Sequence, residues 1–147
     1  MTAGNPAAID IRVVGWDDAA AALLAVRIAV FVDEQGVPPE LEHDAHDATA
    51  LHLLATTADG RAVATARMLA DGHIGRMAVL PNWRGQGLGT RLLSRLIDIA
   101  RKRELDGVYL HAQCRAESFY RRLGFVAEGD VFDDAGIDHR SMHRPLR

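Results

Sequence analysis

Apolar and polar positions alternate over residues Ile9 to Val14 (IDIRVV), as they do in a half-buried strand, and then change period. From about Asp18 to Val32 the spacing is helical, with Leu23, Val26 and Val30 or Phe31 predicted to face inward. Asp17 and Asp18 suit the first turn of such a helix. Gly36, Pro38 and Pro39 end it. The next stretch, PPELEHDAHDATA, is polar and acidic and reads as a loop or short broken helix over the surface.

Three strand-like runs follow, ALHLLATTA, RAVATARMLA and HIGRMAVL, separated by Asp59-Gly60 and Asp71-Gly72. Asp-Gly between strands predicts hairpins with type I′ turns, and hence an antiparallel three-strand meander. Pro81 stops the third strand. Apolar residues at 88, 92, 93, 96, 97 and 100 then predict a helix over Leu88 to Arg103.

VYLHAQC (Val108 to Cys114) is the next strand, and reaching it through a helix predicts a right-handed parallel crossover. AESFYRRLGF reads as a short helix closed by Gly124 at C′. FVAEGDVF and HRSMHRPL supply a terminal antiparallel pair. The order predicts an α/β fold on one mixed sheet, a meander followed by a βαβ unit, in a single domain over residues 1–147.

Composition narrows what such a domain does. With 48% apolar and 25% charged residues the chain is an ordinary globular mixture. A net charge of −3 argues against a nucleic-acid binder, which needs a basic excess. Arg101, Lys102 and Arg103 suit a helix C-terminus. A single cysteine, Cys114, and an N-terminus without a leader pattern predict a cytoplasmic protein. Cys114 reads as a small buried residue. The one apolar run, Ala19 to Val32, is too short to span a bilayer and contains Arg27, so no membrane role is expected. The terminal strands offer an edge for a homodimer, with no residue pattern that requires one.

The chemistry concentrates in WRGQGLGTRLL, Trp83 to Leu93. A glycine loop between a strand and a helix gathers free backbone N–H groups at the positive end of the helix dipole, a cradle for phosphate or diphosphate. Arg84 and Arg91 could add charge-assisted contacts. The loop lacks the Gly-Lys-Ser/Thr ending of a P-loop, and its G-x-G-x-G spacing after a meander departs from the dinucleotide fingerprint. His43, Asp44, His46 and Asp47 match no zinc spacing, so no metal is expected; a solvated or substrate-facing acidic loop that attracts a cationic amine is the preferred reading.

Arg84 to Gly89 (RGQGLG) resembles the diphosphate-binding signature of the GNAT superfamily of acyl-CoA N-acyltransferases. RMAVLP before the loop and the run from Gln113 to Phe125 are similar too, and FVDEQGVPPELEHDAHD, GIDH and HRSM resemble its ElaA-like branch.

The resemblance implies acetyl-CoA as co-substrate, held where RMAVL and VYLHAQ splay apart, and an amine as acceptor. The backbone of Met77, Ala78 and Val79 would pair with the pantetheine arm, with the N–H of Val79 as oxyanion donor. The backbone of Arg84, Gly85, Gln86, Gly87, Leu88, Gly89 and Thr90 would hold the diphosphate, and Gln113 would reach the arm.

Tyr120 would give its proton to the departing thiolate, or hold it by hydrogen bond, since a phenol ordinarily titrates near 10 and a thiol near 8.5. Glu34 is a candidate base or substrate anchor, against an exposed carboxylate at a helix end. His111 shares a strand face with Tyr109 and Gln113 and is a candidate proton relay, against a histidine satisfied in the core. The implied activity is acetyl transfer to a primary amine by direct attack. A catalytically weak acyl-CoA sensing module on the same fold is the alternative.

Overall fold

A computed structural model describes residues 8–147; residues 1–7, which hold most of the N-terminal stretch read for a leader, lie outside the described residues. Strand β1 (Asp10–Val14) leads through Gly15 into helix α1 (Trp16–Arg27). The helix continues without a break as a π-helical stretch, Ile28–Glu34, and Gly36 at φ 75° ends it. Leu23, Val26 and Val30 are buried on its inner side. Arg27, the residue that spoke against a membrane span, is buried beside them.

Helix α2 (Pro39–Glu42) and a 3₁₀ turn, Ala45–Ala48, cross to the meander of β2 (Leu51–Thr56), β3 (Ala62–Met68) and β4 (His73–Val79). A second 3₁₀ turn, Pro81–Trp83, precedes the glycine loop and helix α3 (Leu88–Lys102). The crossover ends in β5 (Gly107–Gln113), followed by α4 (Glu117–Arg122), β6 (Val126–Asp134) and β7 (Ile137–Pro145). One seven-stranded sheet runs β1-β2-β3-β4-β5-β7-β6, parallel only between β4 and β5.

All six predicted inward positions of α3 are buried, packed on the sheet with Leu53, Met68, Ile74, Val108 and Met142, while Ile99 is half-buried. Spacing alone placed them, because only one face of this helix is covered. α4 closes with the N–H of Gly124 on the Arg121 carbonyl (3.1 Å) and that of Phe125 on the Tyr120 carbonyl (3.1 Å), a Schellman pair with Gly124 at φ 89°.

The turn chemistry differs from expectation. At Asp59-Gly60 and Asp71-Gly72 only the glycine has positive φ, and the Gly60 and Gly72 amides donate back to Thr57 and Leu69. These are type I turns ending in a left-handed glycine, a geometry that Asp-Gly serves as well as type I′. The one hairpin whose two central residues both have positive φ joins β6 to β7 at Ala135 (53°) and Gly136 (82°).

Two irregularities shape the middle of the sheet. β4 and β5 pair only at His73 with Tyr109 and Ile74 with Leu110, and then part. Beside that point β4 carries one extra residue against β3 between the Thr65 and Arg67 pairings, and Arg76 there has φ 47°. A bulge with a non-glycine residue at positive φ bends a strand at a cost of about 1–3 kcal/mol.

Candidate active site

The parting of β4 and β5 opens a cavity of about 360 Å³, walled by Phe31, Val37, Leu41, Met77 and Tyr120, with His111 and Gln113 from β5. Leu80 donates to the Val63 carbonyl (2.9 Å), and Val79 lies opposite Ala64. Peptide groups alternate along an antiparallel strand, so Val79 directs its N–H and C=O away from β3 into the gap, while Ala78 turns its own toward Thr65. Ala78 is therefore not a backbone partner for an arm in the gap, contrary to expectation. Its side chain is buried against Val26 and Val30 instead. Met77 adjoins the bulge and lines the cavity.

The three loop glycines have different reasons. Gly85 (φ 75°) and Gly87 (φ 81°) occupy left-handed conformations with open space where a Cβ would stand, so backbone strain rather than crowding favours glycine there. Gly89 has no such φ, and an added Cβ would rest 3.5 Å from Phe119, ordinary contact. Leu88, Gly89 and Thr90 open α3, where the first N–H groups have no intrahelical acceptor. Gln86 lies between the left-handed glycines and donates to the Asn82 carbonyl (3.2 Å).

Both arginines expected to add contacts hold partners within the protein. Arg84 grips Glu34 with both terminal nitrogens (2.7 and 2.6 Å) and donates its Nε–H to the Val79 carbonyl (2.8 Å). Arg91 donates to the Ile9 carbonyl (2.9 Å), tying α3 to the start of β1. Glu34 does not line the cavity, and its hydrogen bonds from Arg84 lower its pKa, which weakens it as a base. The geometry makes Glu34 a partner of the glycine loop.

Tyr120 lines the cavity, edge-on to Phe119 and Phe125, and burial pushes its phenol up to about 12. His111 is exposed on β5, tilted against His73 (4.9 Å between ring centres) and edge-on to Phe132 (5.3 Å), so it is not a core histidine. Gln113 lines the cavity too, but its amide is engaged, donating to Gln35 (2.9 Å) and accepting from Arg115 (2.9 Å). Cys114 is half-buried rather than buried.

The acidic loop exposes Glu40, His43 and His46, but its buried carboxylates are not bare. Arg27 donates to Glu42 and to both oxygens of Asp47 (2.8 and 3.0 Å); Arg67 donates to Asp44 (2.8 and 3.2 Å) and Asp47 (3.0 Å); Arg76 donates to Asp44 (3.2 Å) and to the Glu42 carbonyl (2.9 Å). Three guanidiniums against three carboxylates leave no excess negative charge to draw in a cationic amine. Among the described residues no group of three or more His, Cys, Asp or Glu side chains converges as a metal site would require.

Burial alone would raise the Asp47 carboxyl, but hydrogen bonds and charge from Arg27, then Arg67, outweigh it and hold it at about 2. A carboxyl depressed from 3.8 stabilises the fold fully above pH 4 and loses that contribution as pH falls toward 2. Urea titrations between pH 5 and 2 are therefore expected to lose about 2 kcal/mol more in the parent protein than in Asp47→Asn. Equal losses would remove Asp47 as the linked group.

The model of the GNAT acetyltransferase domain matches residues 18–146. The chain belongs to the GNAT acetyltransferase family. It is 36% identical to ElaA of Escherichia coli over 134 residues, 85% of this chain and 86% of that protein. The crystal structure of E. coli ElaA superposes with a TM-score of 0.82 at 32% identity, covering 92% of this chain and 99% of that one. An acyl-CoA N-acyltransferase from Pseudomonas aeruginosa gives 0.83 at 36% identity, covering 92% and 99%. A CoA-dependent acyl-homoserine lactone synthase, solved with SAM and isopentyl-CoA, shares the fold alone, with a TM-score of 0.77 at 16% identity, covering 95% and 84%. This GNAT protein thus has the acyl-CoA N-acyltransferase fold, and its resemblance to the ElaA-like branch holds in both sequence and structure. Among the described residues no helix is long and apolar enough to cross a membrane.

Proposed function

We propose that this GNAT protein transfers the acetyl group of acetyl-CoA to a primary amine by direct attack, in the cytoplasm. The observation that carries this reading is the parting of β4 from β5 after two residue pairs, on the strand that leads to the glycine loop and in a cavity lined by Tyr120. An amide-rich pantetheine arm fits that gap, since the Val79 N–H faces it without a β5 partner while the Val79 carbonyl is held by Arg84. The loop backbone and the first turn of α3 suit the diphosphate.

In this mechanism the acceptor nitrogen bonds to the thioester carbon. The Val79 N–H holds the developing oxyanion, and the C–S bond breaks with its electron pair on sulfur. Tyr120 donates a hydrogen bond to that sulfur, while the proton shed by nitrogen leaves by His111. With Glu34 occupied by Arg84, His111, one of the histidines lining the cavity, is assigned this relay.

Isothermal titration with acetyl-CoA, followed by thiol release over an amine panel, tests the proposal. Micromolar binding with amine-dependent release supports it; binding without release from any amine leaves the sensing module; no binding at millimolar ligand sinks both. The glycine loop has its own test. Gly89→Ala is expected to fold within about 0.5 kcal/mol of the parent and to weaken acetyl-CoA roughly tenfold, because its Cβ meets only ordinary contact within the protein. An unchanged Kd would take the Gly89 backbone away from the diphosphate.

A further inference from the structure

From the wall of the cavity opposite β5, we infer that the acceptor carries a carboxylate as well as its amine, and that Arg76, backed by Arg67, receives it. The inference rests on the transferase reading above and names its acceptor class.

Arg76 is the extra residue of the β4 bulge, held at φ 47°, and lies just where β4 leaves β5. A strained non-glycine backbone persists when the surroundings enforce it and gathers at ligand sites. Its side chain lines the cavity with 27% of its surface open. Its Nε and one terminal nitrogen are fixed by the Glu42 and Leu41 carbonyls and by Asp44, which orients the guanidinium without enclosing it. Arg67, 5% exposed, lines the cavity beside it, and its Nε is buried without a partner.

The cluster is polarised across the wall. Of its three carboxylates only Glu42 reaches the cavity, and that group accepts from Arg27; Asp44 and Asp47 stand behind Arg67 and Arg76. The other titratable groups facing the space are His73, His111, His139, Tyr120 and, at the end of β6, Asp134. Cationic and imidazole groups therefore dominate the inner surface.

A cluster balanced in formal charge and turning its positive side inward suits one added negative charge rather than a phosphate dianion. Guanidinium matches carboxylate by shape and charge. Between Arg76 and Tyr120 the walls Phe31, Leu41 and Met77 are apolar, so an amino acid with an apolar side chain fits the remaining surface.

The test compares matched acceptors, leucine with leucinamide and methionine with methioninamide, by thiol release at fixed acetyl-CoA. Amidation makes the amine less basic and leaves more of it uncharged, so a preference for the free acid runs against the supply of nucleophile. The expected result is a kcat/KM at least tenfold higher for the acids, with the acid-to-amide ratio falling toward one in Arg76→Gln. A ratio near or below one in the parent overturns the inference while leaving the transferase intact. A ratio retained in Arg76→Gln that folds by circular dichroism overturns the assignment to Arg76. If that variant does not fold, Arg76→Lys and the parent ratio decide. Absence of release from every amine, with acetyl-CoA still bound, overturns the transferase reading and this inference together.

Discussion

Replacing Arg27 with methionine is expected to cost about 3–5 kcal/mol of stability, the loss typical of a buried ion pair deprived of one partner. Arg27 is fully buried, and the two carboxylates it serves, Glu42 and Asp47, are buried with it. Methionine restores most of the volume but takes from Glu42 its close guanidinium partner and leaves Asp47 with Arg67 alone. Against a total of about 5–15 kcal/mol this is a large fraction, and the melting temperature is expected to fall by roughly 10 °C or more. Adding Glu42→Gln to Arg27→Met is expected to recover part of the loss, because a neutral amide is less costly to bury than an unpaired charge. Urea melts of the single and double variants measure both. A loss below about 1 kcal/mol in Arg27→Met would mean that the cluster contributes specificity rather than stability.

That cluster marks the boundary of what the sequence made legible. Helix α3 was readable because its burial is one-sided and its apolar residues recur at one period, and the meander because each strand is bounded by Asp-Gly. The glycine loop and Tyr120 were legible only by resemblance; Tyr120 lines the cavity, whereas the loop follows β4 and contributes none of the cavity wall.

The ion cluster was not readable. Arg27, Arg67 and Arg76 lie on three different elements, far along the chain from the acidic residues they hold, and a sequence displays only the acidic run. The Arg84 to Glu34 pair joins residues fifty apart for the same reason, and it makes Glu34 a weaker base. Turn type was missed because one dipeptide serves two geometries. The alternation of peptide direction that separates Val79 from Ala78 depends on register, which no local pattern states.

Tyr120→Phe is expected to lower kcat by about 10²-fold or more while acetyl-CoA affinity stays within twofold. The substitution removes one oxygen and keeps the ring that meets Phe119 and Phe125, so the fold has little reason to change. With the phenol near 12 and an ordinary thiol near 8.5, complete proton transfer to free thiolate would be uphill by about 5 kcal/mol. The same burial that raises the phenol also raises a thiol beside it, which narrows that gap. In the proposed mechanism Tyr120 therefore acts chiefly by a hydrogen bond that strengthens as charge builds on sulfur, and such a bond raises kcat without raising affinity. Because the phenol stays protonated to about 12, the parent rate is expected to show no Tyr120-dependent fall up to pH 10, and the parent and Tyr120→Phe profiles to run parallel. Pre-steady-state thiol release measures the chemical step directly. Equal rates for the two proteins in that assay would move leaving-group stabilisation from Tyr120 to solvent.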